Sequence, residues 1–476
     1  MSAAPQTAGD LPPVTRMLGD WIAGLKFDDI PAASITHAKR CLLDAIGCGL
    51  YGGQQEWGRI VANVAHDFSG GGPSSLWGHG HSAGPADAAM VNGTAVHGFE
   101  IDDVHVESMF HPGAVTIPAV LAVAEARGNS GEEVLTAIVA GYEIGIRMGI
   151  AAGIPHKMKG YHVTATNGCF AAAATVANLL GLTGESAADA LGIAATEASG
   201  LYSARKGAMT KRFHGGMAAK NGVVAGYLAE QGFTGARDAI ETPFGGYLST
   251  MSADADLSIL ISDLGRRWHI DDIGFKAYAS CASTHTTIDC LDTLMGQGLT
   301  AGTLNRLTIR MSKAGFTNVG WDYQPLGVVG MQMNGRFVAA TKLLAGDVFV
   351  DQFSEDRIAD PPTLALIGRI DIVHDPAIDA LGLARRHTVH VEAEMQDGRT
   401  LTASREQRTG SSEHPLSDQT LTQKFRHTAG AVVQDSAVDA LITEINGIEQ
   451  ARDMSGLTAL LLGKSPKRTG WHEPAK

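Results

Sequence analysis

Between Asn92 and Pro118 the sequence reads NGTAVHGFEIDDVHVESMFHPGAVTIP. It sets four acids (Glu100, Asp102, Asp103, Glu107) and three histidines (His97, His105, His111) within fifteen positions. Carboxylates and imidazoles in such density supply general bases, general acids and metal ligands. A helix running into a polar loop would gather several of them around one cavity, since loops on a rigid scaffold commonly carry function. Acids that cap or solvate a helix end, with His97 a satisfied core residue, account for the same pattern. No H-E-x-x-H or equivalent ligand spacing occurs, so no metal site is expected.

A second stretch is an electrostatic anomaly. From Ile144 to Ala229 there are eight cations (Arg147, Lys157, Lys159, Arg205, Lys206, Lys211, Arg212, Lys220) and three acids (Glu185, Asp189, Glu197), a surplus of +5 inside a chain of formal charge −13. Within it lie GYHVTATNG (160–168) and ARKGAMTKRFHGGMAAKNG (204–222), where His162, Lys211, Arg212 and His214 neighbour glycines that let backbone approach a ligand. A charge run is ordinarily a solvated helix face. Here Gly, Ala and Met interleave the cations, which points to a pocket for a small anion.

The third stretch is FKAYASCASTHTTID (275–289), with Lys276, Cys281 and His285. Cys281 and His285 have the types of a nucleophile and its base, although a buried thiol and a packed imidazole explain them equally. No G-x-S-x-G, P-loop or dinucleotide fingerprint occurs, so no cofactor is expected.

These stretches need elements to hold them. Apolar positions at three- and four-residue steps predict helix from Val14 to about Tyr51, with Pro31 in a first turn. Similar patterns cover 85–98, 115–127, 131–152, 165–181, 186–199 and 217–231. Breaks at Gly128-Asn129-Ser130 and Thr183-Gly184-Glu185-Ser186 carry helix-start signals. After Arg267 the pattern changes: 304–311, 387–395 and 399–405 alternate as strands, and Gln396-Asp397-Gly398 reads as a hairpin turn. Helical periodicity returns over 416–462. The expected fold is mainly α, with a large helical domain (1–267 and 407–476) and a smaller α+β domain (268–406).

Composition bounds the partners. The chain has 476 residues, 37 Lys+Arg and 50 Asp+Glu, a balance that argues against nucleic acid. The first 17 residues lack a basic start and apolar core, and Glu143 and Arg147 interrupt the most hydrophobic stretch, so neither a secretory signal nor a membrane span is expected. Five cysteines (41, 48, 169, 281, 290) form no C-x-x-C, which suits reduced thiols and a cytoplasmic setting and offers no cluster ligation.

Taken together, CLLDAIGCGLYG (41–52), VNGTAVHGFEIDDVHVESMFHPG (91–113), KGYHVTATNG (159–168), MTKRFHGGMAAKNG (209–222), FKAYASCASTH (275–285) and GMQMNGRFVAATKLLAGD (330–347) resemble the MmgE/PrpD family, which contains 2-methylcitrate dehydratase, iminodisuccinate epimerase and cis-aconitate decarboxylase. The resemblance implies a cofactor-free homodimer acting on a small di- or tricarboxylate, with its site between a helical and an α+β domain. By motif, the family's acidic cluster falls on Glu100, Asp102 and Asp103, its histidines on His111 and His162, and its lysines on Lys211 and Lys276. Three positions depart, the first being Glu100, where the family's first acid is usually Asp. A threonine after the Asp-Asp pair in the decarboxylases is Val104 here, and their pocket tyrosine falls on Phe337.

The expected machinery is thus His111, His162, Asp102, Asp103, Lys211 and Lys276, with Glu100, Arg212, His214, Cys281 and His285 binding substrate. The leading expectation is a hydro-lyase that dehydrates a citrate- or 2-methylcitrate-like hydroxy-polycarboxylate by general acid/base chemistry. An epimerase of an amino- or iminodicarboxylate, a cis-aconitate decarboxylase and a non-catalytic polycarboxylate binder are the alternatives.

Overall fold

The computed structural model describes residues 12–463, the side chains of Arg205, Lys206 and Leu383 excepted. The ends of the expected helical domain, 1–11 and 464–476, which include most of the stretch read as lacking a secretory signal, lie outside those residues. The first half is helical: α1 (Val14–Gly24), α2 (Ala32–Gly53), α3 (Glu56–Ser69), α4 (Pro85–Val96), α5 (Gly113–Arg127), α6 (Gly131–Met158), α7 (Val163–Leu179), α8 (Gly184–Glu197) and α9 (Thr210–Glu230). A hairpin of β1 (Ser74–Leu76) and β2 (His81–Ala83) interrupts them.

Local chemistry explains the boundaries. The helix expected over 14–51 is two helices. The residue before Pro31 is extended, as the proline ring requires, so Pro31 stands at the N-cap of α2 and not within its first turn. Ser130 caps α6 in a capping box with Glu133, and the Thr183 hydroxyl accepts the Ser186 amide at 3.2 Å to start α8. Gly153, at φ 63°, kinks α6. Neither α3 nor the three-residue strands β1 and β2 are foreseen by periodicity; the strands are too short for alternation to register.

The helix α7 is central. Its sequence, VTATNGCFAAAATVANL, is small or apolar on every side, and all of it but Asn178 is buried among α5, α6, α8 and α9. Close approach depends on glycine: Gly222 and Gly226 of α9 lie against Ala172 and Val176 of α7, while Gly216 faces Met90 and Thr94 of α4. α6 is long and apolar enough to cross a membrane by length and composition, yet 94% of its most apolar window is buried inside the protein, the position of a core helix. Its Glu143–Arg147 pair, 3.5 Å apart, is buried too.

A mixed sheet follows in the order β4-β3-β5-β6, comprising β3 (Leu304–Met311), β4 (Ile370–His374), β5 (Val389–Met395) and β6 (Thr400–Arg405). β3 and β4 are parallel and the other pairs antiparallel. Strand β5 alternates buried and exposed positions throughout, and the turn at 396–399 places Gly398 at φ 86°. The sheet packs its own core (Leu307, Ile309, Val391, Ala393) against the helices His285–Gly296 and Gly335–Ala345. The C-terminal helix Asp418–Gly430 returns to α2.

Replacing Gly216 by Ala would drive a Cβ into the Met90 carbonyl oxygen, whereas a Cβ on Gly296 meets nothing within 4 Å. Overpacking of this kind costs about 1–3 kcal/mol. Urea denaturation should therefore show Gly216→Ala destabilised by that amount and Gly296→Ala not destabilised; equal stability of the two variants would contradict the packing described.

Candidate active site

The turn between α4 and α5 carries the acids. Glu100 is in the left-handed region at φ 58°, a conformation a non-glycine residue holds only when its surroundings over-determine it. Those surroundings are two lysines. Lys211, in the first turn of α9, pairs with Oε1 of Glu100, and Lys276 reaches Oε2 at 3.2 Å and Oδ1 of Asp102 at 3.4 Å. All four side chains are buried. Burial alone would raise the Glu100 carboxyl, but the two ammonium groups hold it well below its ordinary range. Burial likewise opposes Asp102, and His111, Lys276 and His97 hold it low. Lys276 stays charged despite burial because Glu100 and Asp102 face it.

Three imidazoles line up beside these charges. His97, at the end of α4, gives Nδ1 to Asp102 at 2.6 Å, and its ring lies 5.1 Å from His111 and 5.5 Å from His162. His111 donates Nδ1–H to the Asp103 carbonyl at 2.6 Å and lies 3.4 Å from Asp102, leaving Nε2 as its lone-pair nitrogen. His162 precedes α7 and shares Nδ1 with Nδ1 of His214 at 3.0 Å. Burial pushes His111 down to about 3 and His214 to about 4, and takes His162 well below its ordinary value. The rings are neutral at working pH, each able to offer one N–H and one lone pair.

Asp103 is set apart from Asp102. It accepts the Gly113 amide at 3.0 and 3.2 Å and the Tyr142 hydroxyl at 2.7 Å, and burial with Asp44 and Asp102 nearby raises it to about 8. Its place is thus behind His111, bracing the start of α5. Arg212 also stands back: its guanidinium donates to the Gly98 carbonyl and lies 3.7 Å over the Trp57 ring.

The structure brings Glu100, Asp102, Asp103, His111, His162, Lys211, His214 and Lys276 together. It does not join Cys281 and His285 as nucleophile and base. The ring Nε2 of His285 meets the Ser280 carbonyl at 3.3 Å, its Nδ1 has no partner, and Cys281 binds Gln332 only through its backbone amide. The positive stretch 144–229 also divides: Arg147 serves Glu143 and the Ile259 and Ser262 carbonyls, Lys159 the Thr250 carbonyl and Lys220 Asp87. Among the described side chains of that stretch, Lys211 is the one that pairs with the acidic turn.

Sequence reasoning passed over His97 as a core residue and did not single out Gln332, whose amide donates to the Phe99 and Ala279 carbonyls at 2.8 and 3.1 Å and so ties the acidic turn to the Lys276 loop. Its signal was membership of the GMQMNGRF stretch. Phe337 is fully buried, stacked on Tyr323 at 5.1 Å.

His97, Asp102 and His111 each bring a ligand atom within 4.8 Å of the others, a spacing a metal ion accepts, and His105, His269 and Asp272 form a second such group. At the first, the Lys276 ammonium already neutralises Asp102 and would repel a cation.

Fold and site together define a two-part protein, mainly helical with a C-terminal mixed sheet, that buries an acid–lysine–histidine centre where the parts meet. The MmgE/PrpD N-terminal domain matches residues 16–260 and the MmgE/PrpD C-terminal domain residues 278–449, and the chain belongs to the MmgE/PrpD family. It is 30% identical over 473 residues to a cis-aconitate decarboxylase-like protein, oryM, of Aspergillus oryzae, covering 95% of this chain and 98% of that one. It is 30% identical to a cis-aconitate decarboxylase of Aspergillus terreus (94% and 96% covered) and 28% identical to that of Homo sapiens (97% and 97%).

Two measurements test the centre. Folded Glu100 and Asp102 titrate well below their ordinary 4.5 and 3.8, so their stabilisation is complete above those values and is lost as pH falls through them, when the unfolded chain takes up protons the folded one refuses. Glu100→Gln should lose about 3–5 kcal/mol at pH 7, as expected for breaking a buried pair. It should also show a shallower decline than wild type below about pH 4.5; parallel acid melts would contradict the pairing. Separately, whatever turnover the protein has should survive exhaustive chelation, and activity that returns only with added metal would overturn the assignment of Asp102 to Lys276.

Proposed function

We propose that the chain is a lyase for small polycarboxylates, dehydrating a citrate- or 2-methylcitrate-like hydroxy acid. The observation that carries this reading is the convergence of Lys211 and Lys276 on Glu100, flanked by the neutral imidazoles of His111 and His162. Removing a proton next to a carboxylate creates enediolate charge. A positioned base contributes about 10²–10⁴-fold and a preorganised donor about 10²–10³-fold, so the reaction needs both.

The roles follow from the hydrogen bonds. His111, its Nδ1–H held by the Asp103 carbonyl, takes the carbon-bound proton on Nε2. The electron pair of that C–H bond forms the alkene as the C–O bond breaks. The departing hydroxyl, hydrogen-bonded by the N–H of neutral His162, takes the proton back from the His111 imidazolium and leaves as water, which returns both rings to their starting state. The lysine ammonium groups stabilise the charge on the substrate carboxylate while the proton is in flight.

The names of the relatives support a second reading, decarboxylation of a cis-aconitate-like acid. The same lysines would stabilise the carbanion that remains when CO₂ departs, and one imidazole would protonate it. Val104 and Phe337 weigh against it, since each replaces a hydroxyl-bearing residue of the decarboxylase pattern.

His162→Ala and Lys211→Ala should each lower turnover at least about 10²-fold with the fold intact. Near-normal rates would remove both residues from the mechanism. Proton NMR in D₂O with a panel of polycarboxylates separates the reactions: a new alkene from a hydroxy acid marks dehydration, loss of CO₂ from cis-aconitate marks decarboxylation, and deuterium exchange with inversion marks epimerisation. No turnover of any member would overturn the lyase reading.

A further inference from the structure

The acid–lysine centre is nearly neutral. Lys211 and Lys276 face Glu100 and Asp102, an even balance of charge with Arg212 only within electrostatic reach of Glu100, whereas a di- or tricarboxylate brings two or three negative charges. Further positive charge lies on the α+β side. Arg408 is 1% exposed, and all three of its guanidinium nitrogens are buried without a hydrogen-bond partner among the described residues. A guanidinium keeps its proton in such surroundings, so burying it unmatched is costly unless an anion meets it.

The acids within reach of Arg408 do not meet it. Asp289 is taken by the Tyr278 hydroxyl at 2.7 Å and the Thr409 amide at 2.9 Å, and Glu413 is exposed. What does surround it is basic. Both His285 and His387 feel the charge of Arg408, as His387 does that of Arg386; His387 has a buried Nδ1 with no partner among the described residues, whereas His285 gives its Nε2–H to the Ser280 carbonyl and keeps a lone pair on Nδ1. The guanidinium also abuts Gly274, where a Cβ would come within 2.9 Å of Nη2, two residues from Lys276. His285 lies within electrostatic reach of Lys276 itself.

We propose that Arg408, with His387 beside it, forms a second carboxylate subsite that holds the substrate carboxylate remote from the reacting carbon. This rests on the polycarboxylate reading above. The planar guanidinium offers parallel N–H bonds to one carboxylate, and Lys276 offers its charge to another. The three nitrogens adjoin no solvent, so the subsite fills by movement at its half-buried rim, His387 and Arg386. A monocarboxylate, occupying one subsite, gains nothing from the second.

The test is calorimetric binding of tricarballylate, a tricarboxylate with neither hydroxyl nor alkene, beside acetate and inorganic phosphate. Wild type should bind tricarballylate and not acetate. Arg408→Gln should weaken it at least about tenfold, and raise KM for any substrate turned over by a similar factor with kcat little changed, as expected for a charged hydrogen bond removed. Unchanged affinity in folded Arg408→Gln, no binding to wild type, or phosphate binding as tightly as tricarballylate would overturn the subsite. If Arg408→Gln does not fold, His387→Gln at the rim decides: weakened binding supports the subsite and wild-type affinity overturns it. Arg408-dependent binding without turnover of any panel member would remove the lyase reading and leave the subsite. Turnover with KM unaffected by Arg408→Gln would do the reverse.

Discussion

The site depends on one carboxylate holding two ammonium groups. Glu100 ties together the α4–α5 turn, the first turn of α9 and the loop ahead of the helix His285–Gly296, three segments far apart in sequence. Without it two buried lysines would face each other with only Asp102 between them, and buried charges without partners are among the costliest features a fold can carry. The left-handed backbone at Glu100 follows from the same constraint, because the side chain must point between the lysines whatever its backbone prefers. A longer glutamate at this position can span both ammonium groups while Asp102 remains available to His97 and His111.

A second pair supports this one from below. Lys424, on the C-terminal helix, binds Asp44 of α2 at 2.7 Å and the Ile101 carbonyl at 2.5 Å, in the middle of the acidic turn. Asp103, turned away toward Tyr142 and Gly113, completes the bracing. The helix Asp418–Gly430 is therefore structural for the site although Lys424 stands behind the acidic turn. Behind both pairs the glycine-lined contacts of α4, α7 and α9 bring the helix backbones close together.

Much of this was legible in the sequence. The strands β3, β5 and β6 declare themselves by alternation, and the capping signals at Ser130 and Thr183 mark real helix starts. The acidic turn, the two histidines and the two lysines stand in motifs whose residue types suit the chemistry. What was not legible depends on contacts between distant segments. The parallel strand β4 pairs with β3 only after a long crossover, and five residues carry little pattern. Arg212 and Lys211 are adjacent in sequence yet diverge, one to Trp57 and the other to Glu100, because successive helical positions point about 100° apart. His285 looked like the base for Cys281, but its ring turns to the Ser280 carbonyl at the start of the helix. Net charge misled in a similar way, since Arg147, Lys159, Arg212 and Lys220 of the positive stretch serve carbonyl groups and acids outside the site.

The central claim is that Lys211 and Lys276, held by Glu100, present charge to a substrate carboxylate beside the Nε2 atoms of His111 and His162. A crystal structure with tricarballylate bound tests it most directly. The account predicts one carboxylate within hydrogen-bond distance of both lysine Nζ atoms, with an imidazole nitrogen facing the adjacent carbon. A ligand bound elsewhere, or a saturated crystal with the lysines touching only Glu100 and Asp102, would contradict it.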